Sequence, residues 1–338
     1  MRSMVLAEPK HLVFESATDP GNPPLGSVRV RILRVGICGT DLHAYLGDQP
    51  FFTYPRRLGH ELAGIVEACG KGVTRVSPGD CVAVEPYISC GHCLACRRGR
   101  YNCCRHLAVL GVHVDGGMCE YLIVPEQLLF KSTSLSFDEL ALVETLGIGA
   151  HAVERAQLEA NEWVAVVGVG PIGASVIQMA ACVGSRLIAI DIDSQRLAFA
   201  RRIGATYAIN PLQEDPVSAL LHCTEGNMPT CIFDATGNPQ SMETSLSLAG
   251  HTGRVVFVGL TQTPIQFDDP SFHRRELTIL ATRNSAGLFP RLISLLESGV
   301  VDVRSWITHR APLDDTSQLF SQLLDKQNFA IKGIVALD

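Results

Sequence analysis

The sequence contains few aromatic residues, few charges and no long apolar run. Aromatic side chains make up 6% of the chain and charged side chains 18%. No run of about 18 residues consists only of apolar side chains, which excludes a membrane-spanning helix. Residues 1–10 also lack the apolar stretch of a signal peptide, so we expect a cytoplasmic protein.

An excess of positive charge is absent as well. The chain carries 28 Lys and Arg residues against 34 Asp and Glu residues, which gives a net charge of -6 at pH 7. Because nucleic acids are bound through a basic surface, this balance argues against nucleic acid as the main partner. We therefore expect neither nucleic acid nor a membrane among the partners.

The chain does have length, apolar residues and cysteine. At roughly 150 residues for each domain, its length predicts two domains. Apolar side chains make up 46% of the chain, which allows a large buried core. Five of the twelve cysteines lie between Cys90 and Cys104. In a reducing compartment this clustering predicts a metal site rather than disulfide bonds.

The sequence pattern changes near residue 160. Before this point, short apolar stretches such as residues 27–33 alternate with turns rich in Gly and Pro, which predicts a β-rich domain. After it, fully apolar stretches such as residues 163–167 alternate with helical stretches. This alternation predicts an α/β fold with a doubly wound parallel sheet. The last predicted strand, residues 331–335, is expected to return to the N-terminal part.

A glycine motif follows the first strand of the predicted parallel sheet. It has the pattern G-x-G-x-x-G and consists of Gly168, Val169, Gly170, Pro171, Ile172 and Gly173. Between a strand and a helix, the three glycines allow a tight turn, close approach of a pyrophosphate, and close helix packing. The helix N-terminus attracts the phosphates. The motif therefore predicts a dinucleotide site.

An acidic residue is expected about 20 residues after such a motif, at the end of the second strand. Asp191 directly follows the predicted strand of residues 187–190. A carboxylate there binds the ribose hydroxyls and repels a 2′-phosphate, which favours NAD over NADP. Asp193 is the alternative acid, and the nearby Arg196 could instead accommodate a phosphate.

Four cysteines within 15 residues predict a structural zinc site. The spacing is Cys90-x2-Cys93-x2-Cys96-x7-Cys104. Four thiolates at short spacing suit a closed tetrahedral zinc site. An iron–sulfur cluster is a less favoured occupant of the same ligands. Cys103 is an alternative to Cys104 as the fourth ligand.

A second, dispersed group offers mixed metal ligands. Cys38 and His60 supply a thiolate and an imidazole, and a carboxylate or water could complete an open, catalytic zinc site. Glu144 lies in a mostly apolar segment, where a buried carboxylate requires a cation or hydrogen bonds. His43, taken alone, is more often a surface or core histidine than a functional one.

Together these residues resemble the zinc-dependent medium-chain dehydrogenase/reductase family, which includes alcohol, sorbitol and threonine dehydrogenases. The stretch Gly59-His60-Glu61-x2-Gly64-x5-Gly70-x2-Val73 is similar to the zinc signature of the family. The four-cysteine spacing is similar to its structural zinc lobe, here residues 86–106, and favours Cys104 over Cys103.

The resemblance implies a GroES-like catalytic domain, formed by residues 1–147 and 283–338. A Rossmann NAD-binding domain, residues 148–282, is inserted between the two parts. The implied cofactors are NAD, one structural zinc ion and one catalytic zinc ion. The implied ligands of the catalytic zinc are Cys38, His60 and either Glu61 or Glu144, and water can replace one protein ligand.

The resemblance also implies catalytic roles. Thr40 takes the proton of the substrate hydroxyl, and His43 receives it through the nicotinamide ribose and passes it to water. Asp41 acts behind the metal ligands and is expected to pair with Lys332. In the family, a basic residue at the position of Lys332 also approaches the cofactor phosphates.

Residues 35–56 and 111–117 further resemble bacterial sugar-acid dehydrogenases of the L-galactonate 5-dehydrogenase type. This implies oxidation of a secondary alcohol on a small-molecule substrate, either a sugar acid such as L-galactonate or a polyol, with NAD as acceptor. Relatives are commonly homodimers or homotetramers, so we expect a homo-oligomer. The candidate substrate-binding residues are Arg283, Asn284, His151, Phe51 and Phe52.

Two alternative functions stay open. The first is a threonine-dehydrogenase-like enzyme, whose amino-acid substrate would need a partner for its ammonium group. The second is a catalytically silent regulatory protein that binds nucleotide and zinc. Loss of Cys38, His60 or Thr40 would favour the second alternative, and all three residues are present.

Overall fold

The computed structural model describes residues 1–325 and 327–338. These residues form two compact units. Unit 1 consists of Met1–Glu144 and Phe289–Asp338, and unit 2 consists of Thr145–Leu288. The two ends of the chain therefore fold together, and the segment between them forms a unit of its own.

The described residues form strands and helices along the whole chain. In chain order the strands are β1 (Arg2–Glu8), β2 (His11–Ser16), β3 (Ser27–Ile37), β4 (Arg56–Arg57), β5 (Glu61–Cys69), β6 (Cys81–Val84), β7 (Tyr87–Ile88), β8 (Ala108–Val109), β9 (Tyr121–Pro125), β10 (Leu129–Lys131), β11 (Trp163–Val167), β12 (Arg186–Ile190), β13 (Tyr207–Ile209), β14 (Cys231–Asp234), β15 (Arg254–Phe257), β16 (Thr278–Ala281), β17 (Ile307–Pro312) and β18 (Lys332–Ala336). The helices are α1 (Gly39–Leu46), α2 (Leu94–Arg97), α3 (Phe137–Ala141), α4 (Val143–Ala156), α5 (Pro171–Val183), α6 (Ser194–Arg202), α7 (Pro216–Cys223), α8 (Pro239–Leu248), α9 (Asp269–Arg274), α10 (Phe289–Glu297) and α11 (Thr316–Leu324).

Unit 1 is built around a mixed sheet with the strand order β10-β6-β5-β3-β18-β17, in which β9 also pairs with β3. In β3, alternate residues point into the core, so Val28, Val30 and Ile32 are fully buried. The final strand β18 pairs antiparallel with β3. This pairing brings the end of the chain back to its N-terminal part.

The register of three neighbouring strands of unit 1 brings distant residues together. Strand β3 runs antiparallel to both β5 and β18, with Gly36 opposite Glu61 and Ile37 opposite Gly333. The carboxyl end of β3 therefore meets the first residues of β5 and β18. Cys38, His60 and Lys332 lie at this meeting point.

Unit 2 contains a six-stranded sheet with the order β13-β12-β11-β14-β15-β16, in which all neighbours are parallel. Fully buried Ala165, Ile188 and Ile232 belong to its core. The predicted α/β class with a doubly wound parallel sheet is confirmed. The strand order reverses at β11, and ligands of such sheets bind at the carboxyl ends of the strands around this point.

Among the described residues, no helix combines the length and the hydropathy that a membrane span requires.

Candidate metal centres and cofactor site

Helix α1 places four of the predicted site residues. Cys38 is its N-cap residue, and Asp41, in the first turn, accepts a hydrogen bond of 2.9 Å from the backbone N–H of Cys38. The positive end of the helix dipole is a favourable place for an anionic ligand such as a thiolate. Thr40 and His43 are three residues apart on the same helix, so they lie on one face of it.

Cys38, His60 and Glu61 form a compact group. One ligand atom of each residue lies within 4.8 Å of the others. His60 and Glu61 are buried, and Cys38 is half-buried. A thiolate, an imidazole and a carboxylate are the donors that zinc prefers. This group can therefore hold the predicted catalytic metal.

Asp41 faces the imidazole of His60 as a buried counter-charge. Its Oδ1 atom lies 3.5 Å from Nδ1 of His60, and neither atom has a hydrogen bond within the described part of the chain. Burial alone would lower the pKa of His60, but Asp41 and Cys38 outweigh it, and the pKa lies well above its ordinary value. A carboxylate at Nδ1 directs Nε2 toward a metal, as in carboxylate–histidine–zinc arrangements.

Lys332 neutralises Glu61. Its Nζ atom donates to Oε1 and Oε2 of Glu61 at 2.6 and 2.9 Å, and to the carbonyl of Ile37 at 3.3 Å. Both side chains are at most 1% exposed. Burial works against the charge of Lys332, but Glu61 outweighs it and raises the pKa of the lysine. The hydrogen bonds described for the Lys332 ammonium thus go to Glu61 and to the backbone of Ile37, and not to Asp41 as expected.

Glu144 lies outside the compact group. It is 4% exposed, and its Oε1 atom accepts a hydrogen bond from the hydroxyl of Tyr87. Burial raises the pKa of Glu144 to about 7, although the charge of His60 acts in the opposite direction. Burial and the adjacent Glu144 also raise the pKa of Tyr87 well above its ordinary value. Glu61 and Glu144 are therefore held by different partners, one by a cation and one by a phenol.

The four cysteines of the predicted structural site come together as expected from their spacing. The sulfur atoms of Cys90, Cys93, Cys96 and Cys104 all lie within 4.8 Å of one another. Cys103, the alternative ligand, is exposed and does not belong to the group. We call these four cysteines, with the buried Tyr87, Leu107, Val109 and Val112 around them, the cysteine lobe.

The thiols of the cysteine lobe differ in their surroundings. Backbone N–H groups lower the pKa of Cys90, and they lower the pKa of Cys93 to about 6. Burial raises the pKa of Cys96 to about 11. The N–H groups of Cys90 and His106 both lie 3.3 Å from Sγ of Cys104. The local backbone therefore stabilises negative charge on several of the sulfur atoms, which suits a thiolate–zinc site.

The glycine motif has the geometry that a dinucleotide requires. Gly168 adopts a φ of +85°, and a Cβ on Gly173 would lie 1.9 Å from the carbonyl oxygen of Gly168. A Cβ on Gly170 would meet no atom within 4 Å, so this backbone faces open space. Gly170 is also the N-cap of α5, and Pro171 is in its first turn. The motif thus leaves the helix N-terminus accessible to a phosphate.

Asp191 and Asp193 have different roles. Asp191 follows β12 directly, and its carboxylate accepts hydrogen bonds from the backbone N–H groups of Val169 and Asp193 at 2.6 and 2.9 Å. Asp193 caps α6 and lies 3.9 Å from Arg196. Asp191 therefore links the glycine motif to the end of the second strand, whereas Asp193 serves the helix.

The remaining predicted residues of unit 1 lie on or near α1. His43 is exposed, and its Nδ1 atom contacts Oδ1 of Asp48 at 2.9 Å. Phe51 is 57% exposed and stacks on His113 at a ring-centroid distance of 6.4 Å. Phe52 is half-buried and packs edge-on against Tyr54. Phe51 therefore presents an open aromatic surface, whereas the half-buried Phe52 packs against the core.

The predicted substrate residues of unit 2 differ in burial. Arg283 is exposed, shortly after the carboxyl end of β16. Asn284 adopts a φ of +55°. His151 is 3% exposed on α4. Among these three residues, Arg283 is therefore the most accessible to a small molecule from solution.

Sequence reasoning missed two kinds of residue. Tyr87 carries no motif, and its only signal was that a buried phenol needs a hydrogen-bond partner. Asp234, at the end of β14, is fully buried and accepts hydrogen bonds from Thr236, Ser241 and Ser245. Thr236 in turn packs closely against the glycine motif. A Cβ on Gly168 would lie only 2.8 Å from the Cγ2 atom of Thr236.

Comparison with known proteins gives consistent results for the whole chain. The family model described as alcohol dehydrogenase GroES-like domain matches residues 24–134, and the one described as zinc-binding dehydrogenase matches residues 171–298. The chain is 36% identical to L-galactonate-5-dehydrogenase of Escherichia coli (strain K12) over 336 residues, which are 99% of this chain and 98% of that protein.

The chain is also similar to a threonine dehydrogenase and to an alcohol dehydrogenase of known structure. L-threonine 3-dehydrogenase of Bacillus velezensis is 34% identical over 301 residues, which are 87% of each chain. The crystal structure of the alcohol dehydrogenase RspB from Escherichia coli CFT073, in complex with NADH, superposes with a TM-score of 0.93 at 33% identity. That match covers 100% of this chain and 99% of the other.

Proposed function

The chain belongs to the family of zinc-binding dehydrogenases with a GroES-like domain, and from this premise we propose that it is an NAD-dependent sugar-acid or polyol dehydrogenase. The reaction is the transfer of hydride from a secondary alcohol carbon to NAD. The observation that carries the proposal is the compact group of Cys38, His60 and Glu61, with Thr40 on the adjacent helix α1.

The protein residues prepare this group for catalysis. When bound, zinc supplies a Lewis acid at the substrate oxygen and NAD supplies the hydride acceptor. Asp41 holds the imidazole of His60 in one orientation. Lys332 cancels the charge of Glu61, so the buried carboxylate does not add a second full negative charge beside Cys38. The half-buried Thr40 offers a hydroxyl to the substrate alcohol.

His43 provides the exit for the proton. Its Nδ1–H donates to Asp48, which leaves Nε2 to accept a proton and release it to water. The side chain is 61% exposed, so exchange with solvent is direct. A positioned general base of this kind contributes roughly 10²–10⁴-fold to a rate.

Asp191 supports the preference for NAD. It is 8% exposed and accepts hydrogen bonds from the glycine motif and from the start of the next loop. A carboxylate fixed at this position receives ribose hydroxyls and repels the additional phosphate of NADP. Arg196 lies next to Asp193 and so has a counter-charge already.

The sugar-acid class rests on Arg283 and on the similarity to L-galactonate-5-dehydrogenase. A guanidinium can bind a carboxylate bidentately, or two adjacent hydroxyls. Arg283 is exposed and follows shortly after the carboxyl end of β16, the edge strand of the sheet. The similarity to an L-threonine 3-dehydrogenase makes an amino acid the second candidate substrate class.

A substrate panel tests the proposal. The purified protein is incubated with NAD or NADP and with L-galactonate, sorbitol, L-threonine or 2-butanol, and NADH or NADPH is followed by absorbance. We expect turnover of L-galactonate or sorbitol with NAD, and Arg283→Ala should raise the KM for L-galactonate far more than the KM for 2-butanol. Better turnover of L-threonine than of the sugar acid and the polyol would contradict the substrate class. A preference for NADP would contradict the role of Asp191.

A further inference from the structure

Tyr87 touches two parts of unit 1 at once. Its side chain is 9% exposed and packs in the apolar part of the cysteine lobe. Its hydroxyl donates a hydrogen bond to Oε1 of Glu144, a residue 57 positions away in the sequence. The ring therefore belongs to one group and the hydroxyl reaches the other.

The cysteine lobe also fixes the backbone of Tyr87. Strand β7 pairs with β8, where Tyr87 lies opposite Val109, and the carbonyl of Pro86 accepts a 3.0 Å hydrogen bond from Leu110. Cys90 follows two residues after the end of β7. A change in the arrangement of the four cysteines would thus shift the strand pair that carries the ring.

At its other end, Tyr87 holds a carboxylate that is one of the two candidate carboxylate ligands, with Glu61, of the predicted catalytic metal. Glu144 is 4% exposed, and burial raises its pKa although the charges of His60 and Lys332 act to lower it. Burial, the adjacent Glu144 and, to a smaller extent, Cys38 all raise the pKa of the phenol. Within residues 1–325 and 327–338, the hydroxyl of Tyr87 is the hydrogen-bond donor to the Glu144 carboxylate, and a buried carboxylate is oriented by its donor.

We propose that Tyr87 is a positioning residue that couples the cysteine lobe to the catalytic metal centre by orienting Glu144. This inference rests on the proposed binding of zinc by Cys38 and His60. The ring is placed by the lobe, and the hydroxyl transmits that placement to the carboxylate. Groups that orient a metal ligand typically change metal affinity by roughly 10–100-fold when they are removed.

The first test uses Tyr87→Phe, which keeps the ring in the lobe and removes only the hydroxyl. Release of zinc from the loaded protein is followed with a chromophoric chelator, and the visible absorption of Co²⁺ bound in place of the catalytic zinc is recorded. We expect one zinc ion to leave roughly 10–100-fold faster, a changed Co²⁺ spectrum, and an unchanged second zinc ion. Tyr101→Phe is the control, because Tyr101 lies in the same segment but is 53% exposed.

A double-mutant cycle tests whether Tyr87 acts through Glu144. In a Glu144→Ala background, Tyr87→Phe should change zinc release less than twofold, because the partner of the hydroxyl is gone. The inference would be overturned if the two substitutions had additive effects on the rate of zinc release. It would also be overturned if Tyr87→Phe alone released zinc at a rate within twofold of the wild type. A wild-type protein that binds only one zinc ion would instead contradict the proposed function.

The link to the cysteine lobe requires a change inside the lobe. Cys93→Ser should speed release of the catalytic zinc in the protein with Tyr87 but by less than twofold in Tyr87→Phe. Where Cys93→Ser does not fold, Leu107→Ala loosens the packing around the ring without touching a cysteine. Equal effects of the lobe variant in both backgrounds would show that the lobe and the metal centre are independent.

Discussion

Unit 1 contains two groups of metal-ligand residues that are built in opposite ways. The cysteine lobe takes its four sulfur atoms from a single segment of 15 residues, Cys90 to Cys104. The group of Cys38, His60 and Glu61 takes its atoms from the end of β3 and the start of β5, and its cation, Lys332, from β18. The first group is local, and the second depends on the register of a whole sheet.

The two groups also stabilise charge differently. In the cysteine lobe, nearby backbone N–H groups stabilise the thiolates of Cys90 and Cys93. In the second group, a buried lysine and a buried aspartate compensate Glu61 and His60. Local dipoles are available wherever a loop turns tightly, whereas a buried opposite charge must be supplied by a distant part of the fold. This difference suggests that the lobe serves stability and the second group serves chemistry, and the following variants test it.

The largest expected effect is on activity. Cys38→Ser or His60→Ala should lower kcat/KM by roughly a thousandfold or more, because loss of a Lewis acid costs several kcal/mol of transition-state stabilisation. Turnover and zinc content are measured together, with the exposed Cys103→Ser as the control. Near-normal turnover in either variant would remove the second group from the chemistry.

The next effect concerns the buried ion pair. Lys332→Met should destabilise the protein by about 3–5 kcal/mol, because it leaves the carboxylate of Glu61 buried without a counter-charge. Denaturant unfolding of the zinc-free proteins measures this difference. Adding Glu61→Gln to Lys332→Met should recover most of the lost stability. If Lys332→Met alone has normal stability, Lys332 does not compensate the charge of Glu61.

These two groups also mark how far sequence reasoning reaches. The lobe and the glycine motif follow from spacing within one segment, because ligand geometry and turn geometry are local properties. The pairing of Lys332 with Glu61 spans 271 positions and is set by strand register, which no spacing rule contains. Sequence reasoning therefore paired Lys332 with Asp41 instead.

The end of the second strand of unit 2 shows the same limit on a smaller scale. The position of Asp191 directly after the strand was predicted from the strand pattern. Two adjacent residues could cap the following helix, and the structure has Asp193 as the cap and Ser194 as the first helical residue. Asp and Ser are almost equally good caps, so only the backbone decides between adjacent candidates.

A pH dependence should separate the buried Glu144 from the cysteine lobe in the zinc-free protein. Burial raises the pKa of Glu144 from 4.5 to about 7. Between pH 4.5 and pH 7, the folded state therefore keeps a proton that the unfolded state has released. Stability should therefore fall as the pH rises from 4.5 to 7, by on the order of 3 kcal/mol. Glu144→Gln should not lose stability in this pH range. The same slope of stability against pH in the wild type and in Glu144→Gln would contradict the raised pKa.

The cysteine lobe should respond in the opposite sense. The pKa values of Cys90 and Cys93 are lowered in the folded state, so their contribution to stability grows as the pH rises from about 6 to 9. Denaturant unfolding of the zinc-free protein across this range, compared with Cys93→Ser, measures it. A difference between the two proteins that does not grow with pH would contradict the lowered pKa.

Removal of a lobe ligand should affect stability more than chemistry. Cys93→Ser should lose one zinc ion and about 2–3 kcal/mol of stability, because the metal contributes folding energy, and the melting temperature should fall by about 6 °C. Metal analysis and thermal unfolding measure both. The second zinc ion should still be present at equilibrium, although it should leave faster than in the wild type. Full thermal stability with one zinc ion lost would contradict a structural role for the lobe.

The smallest expected effect distinguishes the two adjacent cysteines at the end of the lobe. Cys104 is buried and its sulfur lies within 4.8 Å of the other three, whereas Cys103 is exposed. A surface substitution away from any contact usually changes stability by less than about 0.5 kcal/mol. Cys103→Ser should therefore keep two zinc ions and wild-type stability, whereas Cys104→Ser should lose one zinc ion. If Cys103→Ser loses zinc and Cys104→Ser does not, the fourth ligand is the exposed thiol, and the lobe would have to rearrange when it binds metal.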